Sequence, residues 1–128
     1  MNNDKVSTRA SQAEEQLRQM ESLVALTSDG KVALMKSVNS AEQFIVACLV
    51  AQHLAHGIGK AQKQGLSIDE IISAGGLAQR TARQTVYNTM SKLSKARIVQ
   101  KSGGEFFVDE RVILQFFATV LPDLISKK

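Results

Sequence analysis

One cysteine, one proline, one tyrosine and no tryptophan stand in a chain of 128 residues. Cys48, alone, can close no intrachain disulfide, a usage that fits a reducing compartment. A single proline excludes proline-rich linkers and polyproline recognition segments. The longest apolar run, Phe44 to Ala51, is far too short to span a bilayer. The first residues, Met1-Asn2-Asn3-Asp4-Lys5, are polar and hold no apolar signal core, so a cytoplasmic location and no membrane partner are expected.

The most informative scarcity is local. Between Ile71 and Gly104 there is no carboxylate, yet there are six cations: Arg80, Arg83, Lys92, Lys95, Arg97 and Lys101. Seven Lys/Arg against eight Asp/Glu precede this stretch, and three against four follow it, so each flank sums to −1 and the segment contributes +6 to a net charge of +4. Positive charge confined in this way is the footprint of a polyanion partner rather than general solubility charge.

Ala82 to Ala96 has helical spacing, with Val86, Met90 and Leu93 on one stripe that must be buried. Thr81, Gln84, Asn88, Ser91 and Lys95 fall on the opposite side, flanked by Arg80, Tyr87 and Lys92, and Arg83 in the first turn is a further candidate for DNA contact. Amides and hydroxyls fringed by cations can hydrogen-bond base edges while the cations hold phosphate. A merely solvated helix mixes both signs of charge. After it, Arg97–Lys101 and Glu105–Val108 flank Ser102-Gly103-Gly104, which predicts a β-hairpin with Lys101 and Ser102 near its tip.

Thr85-Val86, then Leu93, then Ile98-Val99 resembles the recognition-helix pattern of the winged helix-turn-helix DNA-binding superfamily. Leu66-Ser67-Ile68-Asp69-Glu70-Ile71-Ile72 resembles the preceding helix of that motif. The resemblance covers Phe44 to Val108. Two places depart from it: Arg97 stands where the family usually has glycine, and Ala74–Gln79 lengthens the turn between the motif helices. The resemblance implies double-stranded DNA as partner, with the second motif helix in the major groove and the wing on backbone or minor groove.

The rest of the chain is expected to build around that module. The predicted fold is mainly α with a small β-hairpin, a winged helix-turn-helix with extra helices at both ends. Residues 1–39 form an N-terminal tail and helical extension, 40–108 the motif, and 109–128 a C-terminal helix. Met1 to about Ser7 is expected to be disordered. Ser11 to Leu26 has amphipathic spacing, with Leu17, Met20, Leu23 and Val24 on one stripe opposite Glu14, Glu15, Arg18 and Glu21. Ser28-Asp29-Gly30 breaks it, and Lys31 to Val38 predicts a short helix with Val32 and Met35 inward. Ser40 and Gln43 have capping-box spacing at the head of a long apolar helix in which Gly65 is a plausible stop. Ser67 and Glu70 repeat that spacing.

Asp109 is placed to cap a last helix through Leu121, bent or ended by Pro122. Its apolar residues wrap most of its circumference, which predicts docking against the N-terminal helix, within or between subunits. Read as a homodimer element, the contact uses Leu17, Met20, Val24, Ile113, Phe116, Phe117, Val120 and Leu121. A symmetric dimer would present two recognition helices to half-sites about 34 Å apart.

Other motifs point away from catalysis. His53 and His56 lie three apart without a third ligand, and Cys48 sits in an apolar stripe, so no metal is expected. Gly57-Ile58-Gly59-Lys60 lacks the spacing and hydroxyl of a phosphate loop. No nucleophile elbow or paired-carboxylate arrangement stands out, so neither an enzyme nor a cofactor is expected. Three readings stay open: a dimeric transcriptional regulator, a partition protein on the same module, and a winged helix that binds protein and carries its charge incidentally.

Overall fold

The computed structural model describes the backbone over residues 3–38, 40–76 and 79–126, with side chains over 11–125 of these. The order is α1 (Asn3–Gln19), β1 (Val24–Leu26), β2 (Val32–Leu34), α2 (Ala41–Gly57), α3 (Ile68–Gly75), α4 (Arg83–Lys95), β3 (Gln100–Ser102), β4 (Glu105–Phe107) and α5 (Glu110–Gln115). A π-helical turn (Phe116–Val120) then leads into α6 (Leu121–Ser126). The described chain is mainly helical, with two small antiparallel hairpins.

Helix α2 is the post around which the others pack. The Ser40 hydroxyl accepts from the Gln43 N–H at its start. From Phe44 to Ala55 nearly every side chain is buried, Ile45, Leu49 and Val50 included, so the helix is covered on more than one face. All of α1, α3, α4, both strands of the first hairpin, β4 and the π-helical turn touch it. Its one buried polar side chain, Gln52, donates to the Lys63 carbonyl at 2.6 Å, so burial leaves no amide donor orphaned there.

The N-terminal third corrects three expectations. Helix α1 begins at Asn3, inside the stretch expected to be disordered, and ends at Gln19 instead of running to Leu26. Val24-Ala25-Leu26 and Val32-Ala33-Leu34 form a hairpin in place of the second half of that helix and of the short helix over 31–38. Val24 pairs with Leu34 and Leu26 with Val32. Period-2 burial of Val32 and Leu34 faces α2, while Met35, expected inward, is 58% exposed. The turn at Thr27–Lys31 needs Gly30, whose φ of 80° is left-handed and whose added Cβ would meet the Lys60 carbonyl oxygen at 2.2 Å.

The residues proposed for a dimer contact are largely consumed within one chain. Met20, Val24, Ile113, Phe116 and Leu121 are buried in the single core, and Leu17, Phe117 and Val120 are packed against it. Their burial is satisfied internally, which removes the reason for assigning those five to a second copy. Asp109 does cap the last helical rod, accepting from the Val112 N–H at 3.1 Å. Pro122 neither ends nor sharply breaks it. A proline ring crowds the carbonyl four residues back, so the Leu121 N–H reaches five back to Phe116 and the rod continues through a π turn. Lys36 donates to the Leu124 carbonyl near its end.

Gly65 is not the stop of α2, which ends at Gly57. It lets residue 66 approach the second hairpin. Leu66 and Phe106 exchange both backbone hydrogen bonds, at 2.9 and 2.8 Å, and a Cβ on Gly65 would lie 2.4 Å from the Phe106 carbonyl oxygen. Gly65→Ala is therefore expected to lower stability by about 1–3 kcal/mol in chemical denaturation. An unchanged midpoint would show that the two backbones are not held this close.

Candidate nucleic-acid interface

Helix α3 starts with the predicted capping box: the Ser67 hydroxyl accepts from Glu70 N–H, and Glu70 Oε1 accepts from Ser67 N–H at 2.9 Å. Gly76, at φ 50°, takes the backbone out of it. Of the lengthened turn over Ala74–Gln79, Leu77 and Ala78 lie outside the described residues. Gln79 anchors the far side of that turn by accepting from the Val38 N–H at 2.8 Å.

Helix α4 starts and ends one residue inside its predicted bounds. Val86, Met90 and Leu93 are buried against α2 and α3. That fixes the rotation of the helix and so decides what faces out. Gln84, Asn88, Ser91 and Lys95 are exposed, as are Arg80, Arg83 and Lys92, while Thr81 is half-buried. Tyr87 is 51% exposed. The Gln84 amide donates to Asn88 Oδ1 at 3.0 Å, so two potential base-reading amides are held one turn apart.

Two cations are not alone. Arg83 pairs with Asp69 of α3, and Lys92 Nζ lies 2.7 Å from Glu42 of α2. The Asp69 carboxylate raises the Arg83 pKa and the Glu42 carboxylate raises that of Lys92. The carboxylate-free character of the sequence segment is thus only partly a property of the folded surface. Arg80, Lys95, Arg97 and Lys101 have no ion-pair partner among the described residues.

The hairpin follows directly. Ser102 pairs with Glu105 across a two-residue turn, and Gly103 and Gly104 both have positive φ, 58° and 85°, the combination that matches strand twist in a tight hairpin. Lys101 and Ser102 are exposed near its tip, with Lys101 Nζ 5.7 Å from the Phe106 ring centre. Among the described residues other than glycine, only Arg97 has positive φ, at 61°. It lies where the chain leaves α4, and the Leu93 carbonyl accepts from Ile98 N–H just beyond it.

Sequence spacing hid two further groups. Arg111, outside the basic segment, donates to the Arg97 carbonyl at 3.3 Å and lies 3.8 Å from the Asp109 carboxylate, so the cation it brings to the hairpin root is itself paired. Lys63 lies 2.6 Å from Glu70 of α3 and 2.7 Å from Glu105 of β4. Glu105 first, then Glu70, hold its ammonium above the ordinary range. No spacing rule joins residues 63, 70 and 105; only the Leu66–Phe106 bridge brings them together.

The histidines and the thiol are occupied structurally. His53 Nδ1 meets the Gln64 amide at 3.1 Å, and His56 Nδ1 lies 3.1 Å from the Ala61 carbonyl. Burial holds His53 below its usual range and pushes the Cys48 thiol up to about 12. Among the described residues no group of three or more His, Cys, Asp or Glu is placed to hold a metal ion. No helix among them is long and apolar enough to cross a membrane.

Comparison with protein-family models, curated proteins and solved structures finds no match. The site therefore stands on its own geometry: exposed amides, hydroxyls and cations on one helix, beside a hairpin with a cationic tip.

The division between buried and outward faces of α4 has a stability signature. Met90→Ala should cost about 2–5 kcal/mol in denaturant unfolding. Gln84→Ala and Asn88→Ala should each stay within about 0.5 kcal/mol of the parent. A large loss from either amide would mean that the outward face serves folding.

Proposed function

We propose that this protein is a sequence-specific double-stranded DNA-binding protein of winged helix-turn-helix type, a homodimeric transcriptional regulator working in the cytoplasm. The observation that carries the reading is the outward face of α4. Gln84, Asn88, Ser91 and Lys95 are exposed together, because Val86, Met90 and Leu93 anchor the opposite side. Topology supports it. The order of α2, the bridge at Leu66, α3, α4 and the β3–β4 hairpin, with Leu66 paired to β4, is the order expected of a winged helix. The left-handed backbone at Arg97 also supports it, since a φ of 61° is a conformation that glycine, the family's usual residue at that point, adopts most readily.

In this reading α4 enters the major groove. Gln84 and Asn88 hydrogen-bond base edges, with Thr81 and Ser91 as shorter-range partners. Arg80, Lys95 and Tyr87 meet phosphates along the groove walls, and Lys101 and Ser102 bring the hairpin onto the backbone. Arg83 and Lys92 reach phosphate only by leaving Asp69 and Glu42. The second copy docks on side chains that remain outside the core, Leu114 and Ile125, beside the half-buried Leu17, Phe117 and Val120. A partition role would use the same surface and differ only in the DNA it meets.

Fluorescence anisotropy with random-sequence duplex at low and moderate salt tests the reading. Micromolar or tighter binding is expected, with a log–log salt slope of about −0.9 per phosphate neutralised. Arg80→Ala and Lys95→Ala should weaken all duplexes alike and flatten the slope by about one unit each. Gln84→Ala and Asn88→Ala should instead erode sequence preference by about 1–3 kcal/mol. Absence of binding at low salt would favour a protein-binding winged helix.

A further inference from the structure

Two acids reach the cationic helix from outside the basic segment, one toward each end. Asp69 stands in the first turn of α3 and accepts from Arg83 in the first turn of α4. Glu42 stands in the first turn of α2, and its Oε1 lies 2.7 Å from Lys92 Nζ in the last turns of α4. These pairs lie in water: the Asp69 side chain is 72% exposed and that of Lys92 75%. Exposed pairs of this kind contribute little to folding, because solvent screens them and two long side chains must be ordered. They are therefore easily exchanged for another anion.

We propose that Asp69 and Glu42 act as built-in phosphate competitors that set the strength of the sequence-independent part of DNA binding. The inference rests on the DNA-binding reading above. To contact Arg83 or Lys92, a phosphate must displace a carboxylate that stays tethered to a neighbouring helix. The displaced carboxylate remains within a Debye length of about 8–10 Å, where like charge still repels. Backbone attraction falls, while the amides of Gln84 and Asn88 are untouched. Affinity for arbitrary duplex is then held low, and base contacts decide where the protein rests.

A structural role predicts the opposite sign. Both acids lie at helix N-termini, where the helix dipole favours an anion, so their removal slightly weakens the fold and, on that account alone, should leave binding equal or worse. Binding of Asp69→Asn, Glu42→Gln and the double variant to random-sequence duplex is measured by anisotropy at low and moderate salt, after circular dichroism shows that they remain folded. Each single variant is expected to bind about three- to tenfold tighter at low ionic strength, the double variant tighter still, and the gain should shrink as salt rises. Arg83→Ala should cost more affinity in the Asp69→Asn background than in the parent. Glu21→Gln, in the turn after α1, changes net charge equally and should shift affinity by less than about twofold. If the parent binds and the two variants bind no tighter than it or than Glu21→Gln, the competitor role is wrong and the DNA-binding reading stands. If neither parent nor variants bind at low salt, both are wrong.

Discussion

Helix α2 presents apolar side chains around nearly its whole circumference, and water cannot be left on any side of it. Phe44, Ile45, Leu49, Val50 and Leu54 each need cover, and they receive it from α1, both hairpins, α3, α4 and the C-terminal rod. Burying each such side chain is worth about 1.5–3 kcal/mol. The interior around α2 thus dominates the placement of the surrounding elements. The surface of α4 follows from it: Val86, Met90 and Leu93 are drawn inward, so the polar side has nowhere to go but out.

Charge is distributed by a second rule, which acts in space rather than along the chain. The basic segment holds no acid, yet Asp69 and Glu42 come to it from α3 and α2, Arg111 reaches it from α5 together with its own partner Asp109, and Glu105 is paired with Lys63. A count along the sequence found the sign of the surface. It could not find the pairing, because the partners are brought together by packing of helices that are separate in sequence.

The centre of the molecule was readable because each boundary there has a local cause. Ser40, Ser67 with Glu70, and Asp109 announce helix starts through their own hydrogen bonds. The paired glycines 103 and 104 announce a tight hairpin. The N-terminal third is harder to read, because Leu17, Met20 and Val24 keep helical spacing across a boundary that no cap marks. The missed clue is a repeated triplet, Val-Ala-Leu at 24–26 and again at 32–34, either side of Ser28-Asp29-Gly30. The two copies pair with each other in antiparallel register. Apolar content at the C-terminus demands cover within or between subunits without saying which, and Ile113, Phe116 and Leu121 are covered within one chain. Of the candidate site, the outward amides and hairpin tip were legible from spacing, and the Arg83 and Lys92 pairings were not.

Lys63 binds Glu70 and Glu105 at once, and residue 66 is stitched to residue 106 by two backbone hydrogen bonds. The hairpin is thereby riveted to the helix that precedes α4, and α4 to the same interior. Under the proposed function the groove-reading helix and the backbone-touching hairpin form a single stiff caliper. The two backbone hydrogen bonds between Leu66 and Phe106 oppose separate adjustment of its jaws to a duplex of the wrong width. The strain of a poor match would then fall on the nucleic acid, and base pairs that no side chain touches would enter the selection through how readily they bend.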